Sequence, residues 1–521
     1  MPYANGLSPR ISPARTSRPS TLAMRTALLA LILLALAVAD VAGQTPEHPD
    51  QIRFPALDFE PPAGADYRHE LPSGVPVYIV PSDEFPLVSI QFQFMGGEYL
   101  APADQAGVAG VLGGQMRRGG TTSLSPEELD EALDFLAANV STFVGGETSG
   151  ASLDCLKSNF DEAFALFMDV VLRPGFDAER LRVNSDQITE GFKQRNDNPM
   201  GVAMSSMARL VYGSGHYQGR EATVDSIARA NGDSLRALHA QIFHPGNLIV
   251  GVTGDVEPAT ILAQLEQAFS GWEAGPRNPA PPAPSQALEP GVFHARTTQG
   301  ELPQGTTILI GKGFRRDDPD ALALQVMNDI LGGGGFTSRI TNRVRSDEGL
   351  AYTAVSFFQP QVWYEGLFGS FYQSKNRTVA LAAKIVLEEI KRIRTEPVTE
   401  DELAVAKNAL IEAFPQRFAS KGAMLGIFIG DELTGRDPDH WRTWRERVDA
   451  VDTDTVLRVA QQHLDPDGLA MLVVGKWDEI APGDLEGRAS MADFHDGEVT
   501  HLPMLDPLTR EPMPEESDSA Q

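Results

Sequence analysis

Metal or acid–base chemistry would need histidines and acids at helical or hairpin spacing, and the ten histidines of this 521-residue chain are scattered. His239 and His244 lie five apart, and His495 precedes Glu498 in an acidic stretch. Nowhere do two histidines and an acid share one helical face. No Gly-x-Ser-x-Gly elbow occurs, and Cys155 sits in an alternating apolar segment that suits a small buried hydrophobe better than a nucleophile. His216, alone in the turn 212–217, reads as structural.

Two glycine-rich stretches remain. In Ala103–Thr121, Val108, Ala109, Val111 and Leu112 mark a short helix, and Gly110, Gly113 and Gly114 fall at i, i+3 and i+4 on one face of it. An interior glycine costs about 1 kcal/mol against alanine, so propensity does not select this pattern. Either something packs closely on that face, or side chains have been lost from a site. The second stretch, Leu331-Gly-Gly-Gly-Gly-Phe-Thr-Ser-Arg-Ile340, permits positive φ and close approach by another chain. No Gly-Lys-Ser/Thr follows it, which argues against a phosphate loop.

Both stretches resemble blocks of the pitrilysin/insulinase family of zinc peptidases. There an inverted motif, Gly-x-Ala-His-x-x-Glu-His-Met-x-x-x-Gly-Thr, places two zinc-binding histidines and a water-activating glutamate on one helix. Laid onto this chain, the first His falls on Gly110, the Glu on Gly113 and the second His on Gly114; Gly107-Val108-Ala109 matches the flank before, and Met116 and Gly120-Thr121 match the flank after with an offset of one residue. The remaining ligand, a Glu 77 residues beyond Gly114, falls on Gly191 beside Glu190. Glycine offers no donor atom, so the chain is expected to bind no metal of its own at these degenerate positions.

The second block is retained. The family's Arg-x-x-x-Gly-Leu-Ala-Tyr pattern matches 345–352, and its Leu-Gly-Gly-Gly-x-x-Ser-Arg-Leu pattern matches 331–340 with one additional residue and Ile340 for the last Leu. The resemblance implies that Arg345 and Tyr352 bind substrate main chain and stabilise an oxyanion in trans, with Gly332, Gly333, Gly334, Gly335 and Phe336 as substrate-binding loop. The residue types suit that role: a permanently charged multi-donor and a neutral donor serve a carbonyl oxygen that becomes negative. If Gly349 ends a helix, Arg345 lies on its last turns and Tyr352 opens the next strand. The alternatives are an Arg345 paired with Asp347 or Glu348 and a Tyr352 in the core.

The elements that would position these residues repeat about 220 residues apart. Ser152–Lys157 before an amphipathic helix parallels Gly369–Ser374 before another, and Leu248–Gly254 parallels 469–475. The fold class expected is α+β: two tandem homologous domains, each a mainly antiparallel sheet covered by helices, clamshell-like. The boundaries read as an extended arm over the first domain at 44–66, a first domain at 67–272, a Pro-rich linker at 273–291, a second domain at 292–480 and a loosely held acidic tail at 481–521.

Arg10, Arg15, Arg18 and Arg25 precede an apolar run from Ala27 to Ala39, and Val41-Ala42-Gly43 offers a cleavage site, so 1–43 reads as a signal peptide, with Met24 an alternative start. The single cysteine excludes an internal disulfide, and a net charge of −28 argues against nucleic-acid and anionic-membrane partners. The chain is thus expected in the periplasm, or secreted, without a stable membrane anchor. The resemblance implies the non-catalytic subunit of a two-chain peptidase, partnered by a zinc-bearing paralogue that supplies the Zn and enclosing an unstructured peptide. The alternative is a peptide-binding or scaffolding protein without hydrolytic activity.

Overall fold

The computed structural model describes residues 58–300 and 302–514; the signal-peptide expectation and most of the arm lie outside them. Two six-stranded sheets carry the fold. The first is built from β1 (Arg68–Glu70), β2 (Pro76–Pro81), β3 (Leu87–Met95), β4 (Asn139–Val144), β5 (Thr148–Leu156) and β6 (Leu248–Gly254), in the order β1-β2-β6-β3-β5-β4. The second is built from β7 (Gly291–Ala295), β8 (Gln304–Lys312), β9 (Ala351–Gln359), β10 (Leu367–Lys375), β11 (Ala470–Val474) and β12 (Thr500–His501), in the order β12-β7-β11-β8-β10-β9.

Both sheets are mixed and mainly antiparallel, with β2–β6 and β7–β11 the equivalent parallel pairs. Alternation decides the faces: in β3, Val88, Ile90, Phe92 and Phe94 are buried while Ser89, Gln91 and Gln93 turn outward. This is the α+β architecture expected.

Each sheet is also covered by a helix from the other half. The helix Lys421–Thr434 lies on β6 and β2. A Cβ at Gly251 would come within 2.5 Å of Ile429 Cδ1 and 2.8 Å of Leu425, so glycine there allows the contact. Reciprocally, Val202, Ala203, Met207 and Val211 of the helix Pro199–Tyr212 cluster with Ile308, Ile310, Leu472 and Val474 of the second sheet. The Pro-rich stretch after residue 272 bridges the halves: Asn278 donates to Met95 O at 2.9 Å and Arg277 to Leu433 O at 2.9 Å. His216 holds it too, with its Nε2 at 2.9 Å from Pro282 O, which is the structural role expected of that residue.

Two expectations are corrected. Phe59, from the arm, packs against Phe414 and Phe418 of the second half and not over the first, because that aromatic floor offers ring partners at 6.0 and 5.9 Å. The segment after 480 is not loosely held. Met491, Phe494 and Leu505 are buried, β12 adds to the second sheet, and Arg510 pairs with Glu221 of the first half at 2.7 Å. Its apolar residues and its arginine find partners that lie hundreds of residues away in sequence. Among the described residues no helix is long and apolar enough to cross a membrane.

The β7–β12 junction contains a pH-sensitive contact. His294 is 2% exposed; its Nε2–H donates to Gly475 O at 3.0 Å and its Nδ1 faces His501 Nδ1 at 3.0 Å. Burial first, then His501 and Arg296, push the imidazole down to about 4 from 6.5, against the opposing pull of Gly475 O and Asp478. The unfolded chain therefore takes up this proton first as pH falls. The contribution of this neutral imidazole to stability is complete above pH 6.5 and is lost progressively toward pH 4, by up to about 3 kcal/mol. Urea midpoints at pH 7.5 and 5 are expected to differ less in His294→Gln than in the parent chain.

Candidate functional site

The 331–352 block folds as a chain of tight turns. Asp329–Gly333 and Asn342–Asp347 are π-helical, a form that recurs at functional sites. Gly335 takes φ +60° and Gly349 φ +64°, conformations that favour glycine. Thr337 and Ser338 hydroxyls donate to Gly334 O and Gly335 O at 2.9 and 2.7 Å, closing the loop on itself. Thr341 donates to Ala354 O at 2.8 Å and ties the segment to β9.

Three arginines sit on this segment, and two of them are taken up by carboxylates. Arg339, 7% exposed, makes a two-pronged pair with Glu402 at 2.6 and 2.8 Å, which holds the Glu402 carboxyl down at about 2. Arg343 reaches Glu388 and Glu389 at 3.0 and 2.9 Å. Arg345 has no ion pair or hydrogen bond among the described residues. Its guanidinium instead lies between two rings, 4.3 Å from the Phe336 centroid and 4.4 Å from that of Tyr352. Glu348, a candidate partner for Arg345, pairs with Arg488 at 2.7 Å. Tyr352, the second residue of β9, is 80% exposed and Phe336 63%, so neither ring is core.

The structure thus brings Arg345, Tyr352 and Phe336 together into an exposed cation–aromatic stack with unused N–H donors. Beside it, Phe336, Ile330, Asn342, Asp401 and Val405 line a cavity of about 330 Å³.

Gly332 does not join this group. It is buried, and a Cβ on it would meet Ser356 N of β9 at 2.5 Å, so the position serves helix–strand packing and presents nothing to a peptide. Gly333 and Gly335 are exposed, with Gly334 partly covered.

The same packing explains one of the four degenerate positions. The helix Val108–Arg118 lies on the edge strand β4, with Thr142 Oγ1 donating to Gly113 O at 2.6 Å. A Cβ at Gly113 would fall 2.4 Å from Val144 N and 2.9 Å from Phe143 C, both backbone atoms. Gly110 and Gly114 have nothing within 4 Å of a built Cβ, and neither does Gly191 on the neighbouring helix Ala178–Phe192. On the glycine face, then, one glycine is required by packing and two are open positions without donor atoms, as is Gly191 on the neighbouring helix.

These residues do not fit a zinc ion. Elsewhere among the described residues, the one His/carboxylate grouping within metal-ligand reach is Asp318, Asp320 and His463. Asp320 is already held there by Arg458 at 2.7 and 2.8 Å.

A second cluster carries no motif in the sequence. Tyr217 OH donates to Glu147 at 2.6 Å and lies 2.8 Å from Tyr364 OH, joining the halves through two phenols and one carboxylate. Burial and the neighbouring acid raise both phenols well above their ordinary range. Removing the Tyr364 hydroxyl with phenylalanine is expected to lower stability by about 1 kcal/mol, read as a shift in urea midpoint.

Residues 229–410 match the family model described as "Peptidase M16 inactive domain". The "Uncharacterized zinc protease YmxG" of Bacillus subtilis is 25% identical over 297 residues, 56% of this chain and 69% of that protein. The "Non-peptidase homolog YmxG" of Helicobacter pylori is 25% identical over 354 residues, 66% of this chain and 78% of that one. The fold is shared with a solved peptidase M16 inactive domain from Pseudomonas fluorescens, at TM-score 0.70 and 23% identity over 78% of this chain and 97% of that one. The periplasmic protease PqqL from Escherichia coli matches at TM-score 0.65 and 15% identity, covering 85% of this chain and 50% of that one. The chain is thus similar to peptidase M16, the family whose zinc motif aligns with these glycines and whose Arg/Tyr block resembles 331–352.

Proposed function

We propose that this chain is the non-catalytic subunit of a periplasmic heteromeric zinc peptidase. Arg345 and Tyr352 bind the main chain of an unstructured peptide and stabilise the oxyanion formed at a metal held by a paralogous partner. The loop at Gly333–Phe336 contributes to the same surface. One observation carries the reading: an arginine with unused donors is held between two exposed rings, in a chain with glycine at each of the four positions where the resemblance would place a metal site. The partner supplies metal and general base; this chain supplies donors and part of the enclosing wall.

The test is to purify the chain alone and together with a paralogue carrying an intact His-x-x-Glu-His motif, then assay cleavage of an unstructured peptide with and without chelator. The chain alone is expected to be inactive and the pair active and chelator-sensitive. Cleavage by the chain alone, or a pair no faster than its zinc-bearing member, contradicts the proposal. The description of the Helicobacter relative as a non-peptidase homologue favours a second reading, passive peptide binding. Peptide binding without turnover under any pairing is its signature.

A further inference from the structure

A cavity of about 410 Å³, sharing no lining residue with the one beside Arg345, opens between the helix Ala321–Asn328, the end of β9 and the helix His440–Asp449. Its lining includes Arg316, Arg417, Arg436 and His440 and no aspartate or glutamate, although acids outnumber Lys and Arg in the chain by 71 to 43. Aromatic and aliphatic side chains, Trp441 and Phe358 among them, form the rest of the wall.

The cations are only partly satisfied. Arg316 donates to the hydroxyl and carbonyl of Thr434 and has no carboxylate partner among the described residues. Arg417 has neither a hydrogen bond nor an ion pair there; its guanidinium lies 5.7 Å from the rings of both Trp441 and Trp444. Arg436 pairs with Asp431 at 2.8 Å from outside the cavity lining, and the charges of Asp431 and Asp317 also bear on Arg316 without an ion pair.

His440 adds a conflict of donors. Its Nε2 lies 2.9 Å from Arg436 Nη1 and its Nδ1 3.2 Å from Arg447 Nη2. A neutral imidazole has one acceptor nitrogen, so one of these contacts sets N–H against N–H. Burial and the surrounding arginines hold the ring down at about 4, so it stays neutral at physiological pH. An incoming acceptor that draws a guanidinium away relieves the conflict.

We propose that this cavity binds an organic carboxylate with an aromatic or large apolar body, the anion on Arg316, Arg417 and Arg436 and the body against Trp441. Guanidinium and carboxylate match in plane and charge, and the apolar wall selects against small hydrated anions. A free aromatic acid and a peptide C-terminus ending in an aromatic residue share this chemistry. The site is separate from the Arg345 surface and needs no zinc-bearing partner, so its test is independent of the peptidase proposal.

The full chain is titrated by calorimetry and by tryptophan fluorescence, since Trp441 and Trp444 are two of its five tryptophans. The probes are 3-phenylpropionate, its primary amide, and an acetylated pentapeptide ending in phenylalanine with a free or an amidated terminus. The free acids are expected to bind and quench fluorescence, and the amides to bind at least roughly tenfold more weakly. Arg316→Met and Arg417→Met are each expected to weaken the acids by a similar factor while keeping the circular dichroism of the parent. Tighter binding of phenylpropionate identifies a small metabolite, and tighter binding of the peptide a chain terminus. Amides that bind as well as acids, folded variants with unchanged affinity, inorganic phosphate competing as well as phenylpropionate, or no binding of any acid would overturn the assignment.

Discussion

Peptide turnover by the proposed pair of subunits is expected to fall about 10²–10³-fold when Arg345 is replaced by alanine, and by a similar factor for Tyr352→Phe, the range seen when one oxyanion donor is removed. Assembly and stability should hardly change. Tyr352 is 80% exposed, and neither side chain makes a hydrogen bond or ion pair within the described residues. Exposed substitutions of this kind usually move stability by less than about 0.5 kcal/mol. The partition of the loss identifies the step. Equal falls in kcat and kcat/KM mean donors that act in the transition state, whereas a rise in KM alone means uniform peptide binding. Arg345→Lys keeps the charge but loses the planar fork between Phe336 and Tyr352, and is expected to fall between parent and alanine. Parent-like turnover in both primary variants would remove the catalytic half of the proposal while leaving the similarity to peptidase M16 untouched.

The second large effect is on folding. Gly113→Ala is expected to cost about 3 kcal/mol, at the upper end for overpacking, because the new methyl meets the β4 backbone and not the tip of a flexible side chain. Gly110→Ala, Gly114→Ala and Gly191→Ala, open positions in helices, should each stabilise by about 0.5–1 kcal/mol. Urea midpoints of the four single variants check the contrast. A mild Gly113→Ala would show that β4 retreats easily and that the position could hold a larger side chain.

The glycines at these positions are therefore not equivalent. Gly110 and Gly114, and Gly191 on the helix Ala178–Phe192, stand in open positions. At 113 the helix has closed onto the sheet edge. Gly332, facing Ser356 on β9, occupies the corresponding place in the second half, so the close helix-to-edge contact belongs to the repeated unit and not to the degenerate motif alone.

The sequence shows the repeat plainly because alternating apolar strands and capped helices are local signals. Ser125 before Pro126, with Glu128 three residues on, predicts the capping box the structure contains. The helices Pro199–Tyr212 and Lys421–Thr434 have readable caps as well, Asn198 and Ser420, yet nothing local says that each covers the opposite sheet. The same holds for Arg339. Thr399 and Glu402 form a readable capping box, but Glu402 also receives a guanidinium from 63 residues away.

The sequence by itself determined which atoms are missing and which remain: glycines where a metal would need donors, an arginine and a tyrosine seven residues apart, and apolar periodicity enough for two α+β units. Only the tertiary structure decided what those atoms can do. Asp347 and Glu348 stand closer in sequence to Arg345 than Phe336 does, yet Arg345 stacks on Phe336 because the π-helical turn and the left-handed glycines turn it toward that ring and toward β9. In the same way, residues separated by up to about 130 positions line one arginine-rich cavity, and the C-terminal segment returns to close the second sheet. Local sequence sets element type and chemical inventory; burial and ion pairing, which depend on distant segments meeting, decide which of those groups remain free to act.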